Sequence, residues 1–217
     1  MIFKNRVYSF LIIQNDSLSM YRFRSDLIAR IKNDGNKVDA ISAFDNYYSP
    51  KIEKIVDNYY PMNIYRWINI FLDIKLAISF SKFLIFKRLT NKKYDVVHTI
   101  TAKPNFIMGP IARIILGFDT RIVGLISGLG SFIGPAVIGK DKNNFINKIK
   151  RKLLKLNFMF FDGVWLQNPD DVDLMIKFKI IPKKKIVLGY GSGISLKEKK
   201  IKDKDFLFSS MQKYPNS

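Results

Sequence analysis

The sequence predicts an α/β fold, a Rossmann-like parallel sheet with helices on both faces. Three observations lead there. Short runs rich in β-formers alternate with longer stretches of helical periodicity along the whole chain. The connections between them are short, and parallel strands need crossover helices, so steady alternation implies a doubly wound sheet. Finally, 217 residues with 47% hydrophobic content suffice for one such core and fall short of two.

The elements follow in order. "VYSFLIIQ" (7–14) is an apolar strand that ends at the turn-prone "NDS". From residue 21 to 32, Leu27, Ile28 and Ile31 recur at helical spacing, and "NDGNK" stops the helix with Gly35 suited to a left-handed cap. "KVDAISA" is the next strand, and "SPKIEKIVDN" a short helix with Pro50 in its first turn. A long helical stretch over about 63–92 precedes the strand "YDVVHTI" (94–100). "NFIMGPIARIILG" is a helix carrying Pro110 near its start, and "TRIVGLIS" (120–127) a strand entering a glycine-rich turn. Residues 142–161 form a basic amphipathic helix, followed by "GVWLQ", "PDDVDLMIKFK" and "KIVLGYG" as strand, helix and strand. In "NPDD", Asn168 caps, Pro169 takes the first turn, and the acids offset the helix dipole.

Composition narrows the function. There is no cysteine and only one histidine, His98, which excludes disulfides, thiolate chemistry and a histidine-built metal site. The apolar N-terminus is short and lacks a small-residue cleavage site, so it is a strand rather than a signal peptide. Residues 67–86 are long enough to span a bilayer, but Asp73, Lys75 and Lys82 interrupt them, each costing about 2.5–3.5 kcal/mol near the centre of an inserted helix. That helix is expected to lie against protein or a membrane surface. The net charge of +19 calls for an anionic partner: nucleic acid, acidic phospholipid or a phosphate-bearing substrate. With no base-reading helix and no RNA-binding aromatic motif, nucleic acid is not expected.

In a doubly wound sheet ligands sit beyond the carboxyl ends of the strands, which directs attention to residues 15–24, 98–105, 127–134, 167–171 and 189–194. The first turn contains no glycine, so the dinucleotide fingerprint fails at its most specific element. The later glycines run G-x-G-x-x-x-G; Gly128 and Gly130 free the backbone for positive φ, either to approach a ligand or to make a tight packing turn. His98 is either a hydrogen-bonded core residue or a catalyst. Lys103 and Asn105 precede a helix start, where they reach a diphosphate or sugar hydroxyls, unless Asn105 only caps the helix. Arg22 and Arg24 either grip a phosphate bidentately or stay solvated. On the helix at 142–161, Phe145, Ile149 and Leu153 share one face with Leu156 close by, amid Lys148, Arg151, Lys152 and Lys155. This suits a helix on anionic lipid and equally an ordinary surface helix of a lysine-rich protein.

Taken together, "YRFR", "DVVHTITAKPN", "GLISGLGSF" and "VLGYGSGISLK" resemble the amino-terminal domain of family 4 glycosyltransferases, of the type acting on undecaprenyl-diphosphate-linked sugars. The resemblance covers roughly residues 6–200. It implies one half of a GT-B fold: an acceptor-binding domain over 1–200, with 201–217 the start of a donor-binding domain or a tail. It implies a retaining transfer without metal or further cofactor, the nucleotide-sugar donor being a substrate of the complete enzyme. The acceptor contacts it suggests are Tyr21, Arg22, Arg24, His98, Lys103, Asn105, Gly128, Gly130 and Ser131, with Gly191, Ser192 and Gly193 on the donor side of the cleft. The implied partners are an undecaprenyl-diphosphate-linked sugar, an anionic membrane surface and a separate donor-domain chain. The implied location is cytoplasmic, peripheral on the inner face of the plasma membrane, in capsule, O-antigen or related glycan synthesis.

Two departures from the family pattern matter. Ile100 stands where many members carry a second histidine, so no catalytic residue is assigned. The acidic E-x-x-x-x-x-x-x-E element that grips the donor has no counterpart. The expectation is therefore an acceptor-binding half that is inactive alone; the alternative is a non-catalytic, membrane-recruiting subunit of a split transferase.

Overall fold

The structure, a computed structural model, describes residues 6–65, 67–129, 134 and 144–189. The chain runs through β1 (Ser9–Asp16), α1 (Ser17–Asn33), β2 (Lys37–Ala43), α2 (Ser49–Glu53), β3 (Asn58–Pro61), α3 (Ile70–Leu89) and β4 (Val96–Ile100). A π-helical turn (Pro104–Met108) leads into α4 (Gly109–Leu116), then β5 (Arg121–Ile126), α5 (Phe145–Met159), β6 (Gly163–Leu166), α6 (Pro169–Lys177) and β7 (Ile186–Leu188). The strands form one seven-stranded sheet in the order β3-β2-β1-β4-β5-β6-β7, every pair parallel. The predicted fold class is the observed one. The strand order runs outward in opposite directions from β1 and β4, which puts the topological switch point at the carboxyl ends of those two strands.

Side chains alternate across the sheet and divide the core in two. Ile12, Val38, Ala40 and Ile100 pack under α1 and α2 through Met20, Ile28 and Ile52. Leu11, Ile13, Val97 and Ile122 pack on the other face, under Phe80 of α3, Ala112 of α4 and Phe158 of α5. All of these are fully or almost fully buried.

Several boundaries differ from the sequence reading, each for a local reason. α1 begins at Ser17, because the Asp16 side chain accepts the Ser19 backbone N–H at 2.7 Å and nucleates the helix directly from the strand. Tyr21, Arg22 and Arg24 therefore lie inside the helix and not at its start. "SPKIEKIVDN" is not one helix: it stops at Glu53, and Asn58–Pro61 forms an edge strand beside β2. Four residues without an apolar alternation give no periodic signal for that strand. α3 starts at Ile70, not near 63, where the Asn69 side chain accepts the Leu72 N–H at 3.1 Å. Gly35 adopts φ +81° after α1, as expected of a left-handed cap.

The amino edge of the sheet is closed by a repeated device. Asp95, Asp57 and Asp162 each precede a strand and accept an N–H from the first two residues of the neighbouring one: Ser9 at 2.8 Å, Val38 at 2.7 Å and Ile122 at 2.8 Å. Each also meets a cation, namely Arg6, Lys32 and Arg113. Arg113 is buried and donates to Asp162 and to the carbonyls of Phe160, Gly117 and Thr120.

Candidate functional site at the carboxyl edge

β1 ends in Gln14, Asn15 and Asp16. The Asp16 carboxylate sits on the first turn of α1, where a dinucleotide-binding domain would hold a pyrophosphate. The position is filled by the chain's own anion, which is the physical counterpart of the missing glycines.

Two turns further along α1, Arg24 points back over the sheet and is only 3% exposed. Its Nε donates to Gln14 Oε1 at a long 3.4 Å, and among the described residues it has no carboxylate partner. Loss of solvent lowers its pKa to about 10, and the group stays cationic at neutral pH. A buried guanidinium without a counter-charge is costly, and such a group suits an incoming anion.

His98, on β4, faces the same side of the sheet and is 7% exposed. Its Nδ1 lies 3.0 Å from the Val123 carbonyl, so Nδ1 carries the proton and donates. Nε2 is then a bare acceptor, buried, with no protein partner among the described residues. Burial, reinforced by the charge of Arg24, pushes the His98 pKa down to about 4 against the weaker pull of the Val123 carbonyl. The imidazole is neutral at physiological pH. Its ring stacks on Trp165 of β6 at a centroid distance of 6.4 Å. The Trp165 indole N–H is a second buried polar group with no protein partner among the described residues, and Asn15 Oδ1 is a third. Gly189 makes room for the indole, since a Cβ there would lie 2.1 Å from Trp165 Nε1.

Thr101 completes the switch point. It follows β4 directly and holds φ +75°, a left-handed conformation that a β-branched residue adopts only under constraint. Strain of this kind costs about 1–3 kcal/mol and gathers at functional positions.

The expected site residues do not all meet. Arg24 and His98 come together. Tyr21 turns to the β2–α2 side, 6.1 Å from the Tyr48 ring, where the Lys51 ammonium lies over Tyr21, Tyr47 and Tyr48. Arg22 is exposed on α1. Lys103 is buried and pairs with Asp73 of α3 at 2.5 Å. Asn105 is buried too: its carbonyl oxygen accepts from Thr99 at 2.7 Å and its amide donates to the Leu125 carbonyl at 2.8 Å. It neither caps a helix nor faces the edge. Gly128 is exposed but, contrary to expectation, is not among the positive-φ residues, and a Cβ there would meet nothing within 4 Å. Gly130, Ser131, Gly191, Ser192 and Gly193 lie outside the described residues, as does 201–217. Gln14 and Trp165 carried no signal, Asn15 only its place at a strand end, and Thr101 its place there and within "DVVHTITAKPN".

The sheet order and the parallel pairing define a Rossmann-like domain, with the switch-point cluster as its candidate site. Comparison with solved structures narrows the class. A glycosyltransferase from Rickettsia africae ESF-5 superposes with a TM-score of 0.55 at 17% identity, over 97% of this chain and 50% of that one. The UDP-GlcNAc 2-epimerase from Neisseria meningitidis bound to UDP-GlcNAc gives 0.56 at 11%, over 95% and 54%. Acinetobacter baumannii MurG gives 0.50 at 14%, over 88% and 47%. The chain thus spans about half the length of these structures, and its fold is one Rossmann-like half of the GT-B architecture. No family model and no curated protein sequence matches it.

Proposed function

We propose that this chain is the acceptor-binding half of a retaining, family 4-like glycosyltransferase that extends a lipid-diphosphate-linked sugar in surface glycan synthesis. The observation that carries the reading is Arg24, a buried cation with no counter-charge among the described residues, beside His98 Nε2, a buried acceptor with no protein partner among them. Arg24 would take a phosphate oxygen of the acceptor, a charge-assisted contact of about 1.5–3 kcal/mol. Neutral His98 would accept a sugar hydroxyl, because its Nδ1–H is already committed to Val123. The neighbouring folds include glycosyltransferases, among them MurG, which supports a sugar-transfer setting for the same half-domain.

Chemistry in this reading needs a donor-binding half facing the cleft, from the same protein or a partner chain, since one domain supplies only part of the positioning and charge stabilisation that transfer requires. The working location is the cytoplasmic face of the plasma membrane, with anionic lipid and the undecaprenyl-diphosphate-linked sugar as partners.

The test is calorimetric titration of the 217-residue chain with a water-soluble farnesyl-diphosphate-linked N-acetylhexosamine. Binding is expected, and Arg24→Met should weaken it at least about tenfold, as loss of one charge-assisted contact implies. No binding by the parent chain, or equal binding by the variant, would sink the reading. Sugar turnover by this chain alone with a nucleotide-sugar would overturn its assignment as a half-enzyme.

A further inference from the structure

On an ordinary surface helix the residues opposite the core are polar. Two helices of this protein, on the same face of the sheet, break that rule in the same way. α3 buries Leu76, Phe80 and Leu84. On its opposite side Phe71, Ile74, Ile78, Ile85 and Leu89 form a solvent-facing apolar stripe, with Phe71 80% and Leu89 78% exposed. α5 buries Asn147, Leu154 and Phe158 and presents Phe145, Ile149, Leu153 and Leu156 outward, with Phe145 74% exposed. The stripe recognised in the sequence on this helix is therefore the outer one. α4 follows β4 in the same helical layer and adds exposed Ile114.

We propose that the outer face of α3 and α5 docks on an anionic lipid surface, the two stripes lying in the plane of the headgroup boundary; this builds on the lipid-linked acceptor reading above by naming the surface that meets the bilayer. α3 alone offers about 30 Å of stripe over its 20 residues. No described helix is long and apolar enough to cross a membrane, so the face lies on the bilayer rather than through it. Charge selects the occupant. Lys75 and Lys82 flank the α3 stripe, and Lys148, Lys152 and Lys155 flank that of α5, the arrangement that binds anionic headgroups beside buried apolar side chains. α5 carries no acidic residue, and Asp73, the one on α3, is paired with Lys103. A second copy of the chain would oppose lysine to lysine across the same face.

The experiment is co-sedimentation of the full chain with vesicles of phosphatidylcholine alone and of phosphatidylcholine mixed with phosphatidylglycerol, with no glycan present. Binding to the mixed vesicles is expected, weakened by salt. The pairs Phe71→Asp with Ile78→Asp on α3, and Ile149→Asp with Leu153→Asp on α5, should each reduce it at least tenfold without lowering the melting temperature. Trp67, 78% exposed just before α3, should shift its emission to the blue and be quenched by brominated acyl chains, and Trp67→Phe should remove that signal. Equal partitioning of variant and parent overturns the proposal, as does unfolding of the variants, which would make the stripes core. A dimer that the same substitutions dissolve overturns it in favour of self-association. Because the soluble acceptor of the preceding test needs no bilayer, failure of one proposal leaves the other standing.

Discussion

Arg24 and Arg113, the two buried arginines among the described residues, occupy opposite edges of one sheet and live in opposite conditions. Arg113, at the amino edge, donates to three carbonyls and pairs with Asp162, which itself caps β5. Arg24, at the carboxyl edge, is at least as buried, yet its one described hydrogen bond is the long one to Gln14. This sequence can neutralise a buried cation where stability requires it. At the carboxyl edge, among the described residues, it leaves one without a counter-charge, beside an imidazole nitrogen without a protein partner. The amino edge is built to hold the fold, and in the proposed function the carboxyl edge holds a ligand.

The sharpest way to break the comparison is to make the same substitution at both sites. Arg113→Met should cost about 2–4 kcal/mol in urea unfolding, because it leaves the Phe160, Gly117 and Thr120 carbonyls without their donor and takes from Asp162 its closer cation. A loss below about 1 kcal/mol would show the amino-edge network to be dispensable.

Next in size is the pH dependence of His98. The folded chain holds its pKa near 4, whereas the unfolded chain titrates it near 6.5. Between those values the unfolded state binds the extra proton, so stability falls as pH drops, by about 3 kcal/mol by pH 4 from this group alone. The chain has a single histidine, so His98→Gln should flatten the stability profile between about pH 6.5 and 5, above the ordinary carboxylate range. An unchanged slope would mean that His98 is not held neutral.

Smaller effects sharpen the picture on the ligand side. Thr101→Gly should stabilise the protein by about 1 kcal/mol, since glycine adopts φ +75° without strain; a destabilised variant would mean that the hydroxyl, which donates to the Ile100 carbonyl, outweighs the strain. Arg24→Met is expected to change stability least, within about 1 kcal/mol, because no carboxylate is left stranded. If it costs as much as Arg113→Met, Arg24 belongs to the scaffold and the distinction between the edges collapses.

Much of this was legible in the residues themselves. "KVDAISA" is β2 to the residue, and Asn168 caps α6 as read, its side chain accepting the Asp170 N–H. The edge strand β3 was not legible, because its four residues carry no pattern and it is a strand only through pairing with β2. Lys103 looked available to a diphosphate; Asp73, thirty positions earlier in the chain, takes it instead.

The sequence by itself determined the alternation of elements, and hence the parallel sheet, because hydrophobic period and capping are local properties. It also excluded a dinucleotide turn and a histidine or thiolate metal site by lacking the residues. Only the tertiary structure decided which groups stay unsatisfied. His98 owes its neutrality to burial, with Trp165 stacked on the ring, and to the charge of Arg24, which together outweigh the pull of the Val123 carbonyl; these groups come from three other elements. In the same way, α5 has apolar residues on both of its sides, and its helical period cannot say which side meets the core. That choice was made by the sheet, which took Leu154 and Phe158 and left Phe145, Ile149 and Leu153 facing out.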